Sequence, residues 1–169
     1  MGLNIHVKPQ GGSTANASGA AGELIILNQL TAIGLTLASK DEHASARALL
    51  AAGYPIEFAL IHKRFYRQLP AFRSIYGVPF KADFIVCHSR ENIGLIEMKW
   101  QVTAGSVDEK LPFWLHTLQQ VPDNVKAMLV VIGGGVRKGA IKWVKDNSGK
   151  TIVAFSFPEV QKLIRSTWQ

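Results

Sequence analysis

The stretch Asp83–Gln101, DFIVCHSRENIGLIEMKWQ, decides how this chain reads. Two runs rich in β-branched and aromatic residues, Phe84 to Cys87 and Ile93 to Trp100, flank the polar break Ser89-Arg90-Glu91-Asn92-Gly94, which predicts a β-hairpin. Antiparallel partners have position numbers with a constant sum, so a turn centred near Arg90 sets Asp83 across from Glu97 at the open end. Side chains alternate along a strand, which puts Glu97, Lys99 and Gln101 on one face and Ile96, Met98 and Trp100 on the other. One face is polar and the other apolar.

Two carboxylates and an ammonium converging at the end of a sheet cost several kcal/mol to desolvate unless something compensates. A divalent metal would. Hard, oxygen-ligated Mg²⁺ is held by one or two carboxylates plus water and substrate phosphate, which Asp83 and Glu97 can supply, with Mn²⁺ as a substitute. The alternative at this level is an ordinary hairpin carrying a surface salt bridge.

At these residues the chain resembles the PD-(D/E)XK nucleases, the restriction endonuclease-like fold. That pattern sets an acid on one strand and a Glu-x-Lys on the next; here they are Asp83 and Glu97-Met98-Lys99, extended by Gln101 to an ExKxQ variant. Similarity continues through Gly105-Ser106 and Asp108-Glu109-Lys110, where many members begin a helix, and spans roughly residues 20 to 157. Ala82 stands where the pattern often has proline. The resemblance implies a central mixed sheet flanked by helices in α-β-β-β-α-β order and a metal-dependent nuclease. Asp83, Glu97 and the main-chain carbonyl of Met98 would hold the metal, and Lys99 would orient water and stabilise charge at phosphorus. Gln101 would position water or touch the phosphate. It also offers Glu23 as an active-site acid on the first helix; the competing reading of Glu23 is a first-turn acid complementing the helix dipole.

The 169 residues are the length of one domain, and 47% hydrophobic residues suffice for an ordinary core. Nineteen Lys and Arg against twelve Asp and Glu leave a net charge of +7, which favours a polyanionic partner. DNA, double-stranded or branched, is the expected partner; RNA cleavage and a silent DNA-binding subunit of the same fold are the alternatives. A homodimer would supply a second site for double-strand cleavage. The single cysteine, Cys87, excludes an intramolecular disulfide and a zinc site of several cysteines, and reads as a small core residue. The N-terminus lacks an apolar signal core and no stretch reads as a membrane span, so a cytoplasmic protein is expected.

Along the chain, residues 1–20 read as a flexible Gly/Ser/Ala-rich arm with Lys8 solvated, and 21–169 as one domain. A buried first helix runs from Ala21 to Gly34 on Leu24, Leu27 and Leu30, and a second covers Asp41–Ala52, capped by Asp41 or Ser39. Ile56–Ile61 is expected as the first strand. Between 58 and 82 there is no acid; Lys63, Arg64, Arg67, Arg73 and Lys81 alternate with Phe58, Phe65, Tyr66, Phe72, Tyr76 and Phe80, a pattern suited to phosphate contacts or to an anchored loop with a solvated rim. His43 reads as exposed, and His62 and His116 as structural. Lys110, Arg137 and Lys138 are further phosphate-contact candidates. Ser106 is the expected cap of the next helix, with Pro112 tolerable only in its opening turn. Val125–Ile132 reads as a strand buried on both faces. The Gly133-Gly134-Gly135 turn lacks the residues of a phosphate-binding loop. A short helix over Arg137–Lys145, a strand over Thr151–Phe155 and a helix over Pro158–Ser166 close the chain.

Overall fold

The structure is a computed structural model and describes residues 12–102 and 107–169. Its centre is the hairpin. Strands β5 (Phe84–Ser89) and β6 (Asn92–Trp100) pair antiparallel with Phe84 against Ile96 and Ile85 against Leu95, the register that carries Asp83 opposite Glu97. A bulge at Cys87–Ser89 shifts the register only at the turn. Strand β7 (Val125–Ile132) runs parallel to β6 along its whole length and is buried at seven of eight positions, so it needs apolar residues on both faces.

Around this core the sheet has the order β1-β2-β5-β6-β7-β8, with β1 (Thr36–Leu37), β2 (Arg64–Arg67) and β8 (Ile152–Ala154) completing it. Helices cover both faces. On one face α1 (Gly12–Ala32) and α6 (Phe157–Trp168) bury Ile26, Leu30, Ile164 and Trp168 against Phe84, Val86, Ile96 and Met98. On the other, α2 (Lys40–Ala51), α3 (Ile56–Ala59), α4 (Val107–Gln119) and α5 (Lys138–Asn147) pack on Ile85, Cys87, Leu95 and Leu129. The path α1, β2, β5, β6, α4, β7 is the α-β-β-β-α-β order expected from the sequence.

Several local expectations need correction. Helix α1 begins at Gly12, inside the stretch read as a flexible arm; residues 1–11, with Lys8, lie outside the described residues. Its buried positions are Ile26 and Leu30, while Leu24 is exposed. Glu23 therefore sits three turns into the helix, and the helix-dipole reading of it fails. Ile56–Ile61 is not a strand: after Pro55 it forms the single turn α3, and the strand that pairs antiparallel with β5 is instead β2, with β1 outside it. Ser39 is the cap of α2, in a reciprocal capping box with Glu42. Pro112 lies beyond the opening turn of α4, and the expected cap at Ser106, with Gly105, lies outside the described residues. His62 is exposed rather than structural; His116 is exposed too but packs edge-on against Trp143 of α5, with ring centres 6.1 Å apart; and His43 is half-buried, its Nε2 2.9 Å from the Arg67 carbonyl.

A small hairpin of β3 (Phe72–Arg73) and β4 (Pro79–Phe80) stands apart from the main sheet. Its tip is pinned to α4, where Tyr76 stacks on Phe113 with ring centres 5.4 Å apart.

Candidate active site

Alternation fixes which face carries the polar residues. Leu95 and Ile85 belong to the core beneath α4, so Glu97, Lys99 and Asp83, two and four residues along the same strands, project to that side. The Asp83 carboxylate bridges back across the hairpin: Oδ2 accepts the Met98 N–H at 2.7 Å, and the Asp83 N–H reaches Glu97 Oε2 at 3.3 Å. Lys99 Nζ is ion-paired with Glu97 Oε1 and lies 4.5 Å from the centre of the Trp114 ring, which holds the ammonium over α4.

Both acids are buried, Asp83 at 9% and Glu97 at 4% exposure, and one ammonium serves the two. Burial pushes the Glu97 carboxyl up to about 7, with the nearby Asp83 charge adding to the rise and Lys99 opposing it. Burial likewise raises Asp83, against the pull of Lys99, the Met98 N–H and Gln68, while the charge of Glu23 pushes it further up. A site whose two acids are both driven toward the protonated form is one cation short.

Two supports for Asp83 come from outside the hairpin. Gln68 donates its amide to Asp83 Oδ1 at 3.0 Å, and its backbone N–H meets the Asp83 carbonyl at 3.4 Å. The residue holds the left-handed conformation at φ +53, a costly state for a side-chain-bearing residue and one that here ends β2 directly opposite the acid. On the other face, Glu23 arrives through a close approach of α1. A Cβ at Gly22 would lie 2.4 Å from Met98 Sδ and 2.8 Å from the Trp100 ring, so glycine lets the helix lie on these side chains where any larger residue would make them shift. Glu23 is then ion-paired with Arg67.

Gln101 is brought to the end of β6, but its amide is engaged at both ends. Nε2 donates to the Gly135 carbonyl at 3.1 Å and Oε1 accepts from the Val107 N–H at 3.1 Å, so it ties the glycine loop to the start of α4. Gly133, at φ +112, passes so close that a Cβ would stand 1.9 Å from the Gln101 carbonyl oxygen. Gly133 and Gly135 thus pack the loop around Gln101.

The structure divides the cations. Arg64 pairs with Glu42 at 3.1 Å, Arg67 with Glu23, and Arg137 with Asp108 at 3.6 Å, so these three are partly committed within the protein. Arg73 donates to the Gly77 carbonyl at 2.5 Å, and Lys63, Lys81, Lys110 and Lys138 are exposed. Of the interleaved rings, Phe65, Tyr66 and Phe80 are core, whereas Phe58 and Tyr76 are exposed. Cys87 is buried with its thiol pushed up to about 11 by burial, which suits a core residue and not a nucleophile.

Gln68, Glu42 and Trp114 carry no motif and are missing from the sequence reading. Only the β2–β5 register, Arg67 opposite Phe84, brings Gln68 to Asp83. Among the described residues no cluster of three or more His, Cys, Asp or Glu could hold a metal. The oxygen donors on offer are the two facing carboxylates and main-chain carbonyls.

Compared with known families, residues 14–163 match the PD-(D/E)XK nuclease superfamily domain. The chain belongs to the PD-(D/E)XK nuclease superfamily. The match extends past both ends of the span suggested by the motif and takes in α1 with Glu23, every strand and most of α6. No curated protein and no solved structure matches the chain. The six-stranded mixed sheet between helices is the restriction endonuclease-like fold, and a nuclease domain implies a nucleic acid substrate. Among the described residues no helix is long and apolar enough to cross a membrane.

Proposed function

We propose that this PD-(D/E)XK protein is a Mg²⁺-dependent endonuclease that hydrolyses phosphodiester bonds in DNA. The observation that carries this reading is the buried pair Asp83 and Glu97, held across the open end of one hairpin with a single ammonium, Lys99, between protein and solvent. The donor set fits: two hard carboxylates, Asp83 and Glu97, would hold the ion, with the Met98 main-chain carbonyl as a further candidate donor and water and phosphate completing its oxygen shell. Mg²⁺ bound there would supply Lewis acidity toward the phosphoryl oxygen and acidify the attacking water.

The remaining work falls to the chain's own residues. Gln68 and the Met98 N–H fix the orientation of the Asp83 carboxylate from two directions, so its free lone pairs face the site. Lys99 is ion-paired with Glu97, its ammonium over the Trp114 ring; from there it would face the phosphate and stabilise charge that develops in the transition state. Arg67 restrains Glu23 at the edge of the site, where the acid can order the attacking water. Gln101 acts at one remove, by fixing the loop that borders the site.

The test is a cleavage assay on supercoiled, linear and single-stranded DNA and on RNA, with Mg²⁺, Mn²⁺ or EDTA. Metal-dependent cutting of DNA that Asp83→Asn abolishes supports the proposal. Cutting of DNA by Asp83→Asn at the wild-type rate refutes it, and cutting of RNA alone reassigns the substrate.

A further inference from the structure

A cleft of about 670 Å³ opens between α2–α3 and the β3–β4 hairpin. Its wall includes Arg47, Tyr54, Phe72, Arg73 and Lys81, and no carboxylate among the described residues lines it. None of the three cations is ion-paired among the described residues. Tyr54 leaves 55% of its surface exposed. Phe72 packs from the other side on the core that contains Ile56 and Phe80. Clefts of roughly 300–1,000 Å³ hold ligands of nucleotide size.

Its position ties it to the acids. The cleft lies over the same core as the face that carries Asp83, Glu97 and Lys99. Lys81 is two residues before Asp83, and Pro70, also in the cleft wall, is two residues after Gln68, which holds Asp83. Two residues of extended chain span at most about 7 Å. Both segments that meet at the acid therefore run straight into the cleft. A second, more open groove along α6, with Lys162 and Arg165, lies over the opposite face of the sheet and has no such link.

An intact duplex presents its phosphates outside and its bases stacked within, and gives a concave apolar cleft nothing to fill it. An unpaired nucleotide offers both an aromatic face for a ring and a phosphate for the cations. We propose that this cleft receives an unpaired nucleotide of the strand being cut, one to a few residues from the scissile phosphate, with Tyr54 as the stacking surface and Arg47, Arg73 and Lys81 on its phosphates. The inference rests on the nuclease reading and narrows it: the preferred substrate carries single-stranded nucleotides beside the cut, as a free strand or a flap on a duplex.

The experiment compares kcat/KM in Mg²⁺ on a blunt duplex, the same duplex with an unpaired flap, and the single strand, for the wild type, Tyr54→Ala, Tyr54→Phe and Lys162→Ala/Arg165→Ala. A flap strand with 2-aminopurine in the unpaired segment reports stacking by fluorescence quenching in EDTA. The wild type should prefer flap and single strand over blunt duplex and quench the probe. Tyr54→Ala should lower the flap-to-duplex ratio by about tenfold or more and lose the quenching, since stacking of one base contributes at that level. Tyr54→Phe should keep both, and the α6 double variant, which removes two positive charges elsewhere, should keep the ratio. A wild type that cuts blunt duplex as well as flap, or a folded Tyr54→Ala with an unchanged ratio, overturns the cleft while the nuclease reading stands. A wild type that cuts no nucleic acid with any metal overturns both.

Discussion

The two buried acids make the metal-free protein sensitive to pH in an unusual direction, and Glu97→Gln isolates it. Glu97 titrates at about 7 in the fold against an ordinary 4.5, because burial and the Asp83 charge oppose its ionisation. Between those values the folded chain holds a proton that the unfolded chain has released. Stability from this residue is therefore fully present below about pH 4.5 and is lost as pH rises through about 7, the reverse of a salt-bridged carboxylate. At about 1.4 kcal/mol per pH unit the gap corresponds to about 3 kcal/mol. In a domain of this size that is roughly 6–12 °C of melting temperature. Asp83, raised in the same direction, adds to it. Glutamine at 97 keeps the shape and cannot ionise. In EDTA the variant should match the wild type near pH 4.5 and melt several degrees above it at pH 8. Under the proposed function, Mg²⁺ at pH 8 should raise the wild type and leave the variant unmoved. Thermal melts of the two proteins from pH 4.5 to 8.5, with and without Mg²⁺, give the answer as a difference that cancels the titrating groups not coupled to Glu97. A difference that is flat, or that grows toward low pH, refutes the assignment of a desolvated Glu97.

Other outcomes can be checked alongside. Under the proposed function, in which the Lys99 ammonium stabilises the transition state, Lys99→Ala should keep Mg²⁺ binding by calorimetry yet lose turnover by about a hundredfold or more, whereas Asp83→Asn should lose both. Gly133→Ala should cost several °C or prevent soluble expression, because its Cβ would meet the Gln101 carbonyl at 1.9 Å in a backbone state at φ +112; unaltered melting would mean the loop is not packed on Gln101. Arg64→Ala/Arg67→Ala should weaken DNA binding by less than removal of two free cations does, since each already faces an acid; a loss as steep as that of Arg47→Ala/Arg73→Ala would show that Glu42 and Glu23 let go when DNA binds. If double-strand cuts are made, scattering with DNA bound should show two copies, and a strict monomer making such cuts would contradict a paired-site arrangement.

The hairpin was legible because its information is local. Two alternating runs separated by a polar turn fix a register by counting, and the register alone sets Asp83 against Glu97. Strand β2 was not legible. It has four residues, Arg64–Arg67, between Lys63 and Gln68, both at positive φ, and it buries Phe65 on one face and Tyr66 on the other, so no period of two emerges. The apolar run Ile56–Ile61 has the composition of a strand, yet the chain after Pro55 closes into one helical turn. With β2 misplaced, Gln68 had no route to Asp83, and Arg67 no route to Glu23, 44 positions away. The start of α1 was hidden for a different reason: its first turns, GSTANASG, are small and polar residues with no hydrophobic stripe to count.

Charge accounting joins the two faces of the sheet. Three carboxylates, Asp83, Glu97 and Glu23, gather at this end of the hairpin with two cations, Lys99 and Arg67, so the protein alone is one negative charge over. A proton on Glu97 restores balance in the metal-free chain, which is why burial can push that carboxyl to about 7. Under the proposed reaction a divalent ion replaces the proton and leaves the site one positive charge over, and a single phosphodiester brings it to neutrality. Each member is then required by the others: without Lys99 the balanced state needs a second proton or a second ion, and without Asp83 the divalent ion and phosphate are no longer matched. Arg67, ion-paired with Glu23, offsets that acid, and so leaves Asp83, Glu97 and Lys99 one negative charge over, which the divalent ion and phosphodiester of the proposed reaction would balance.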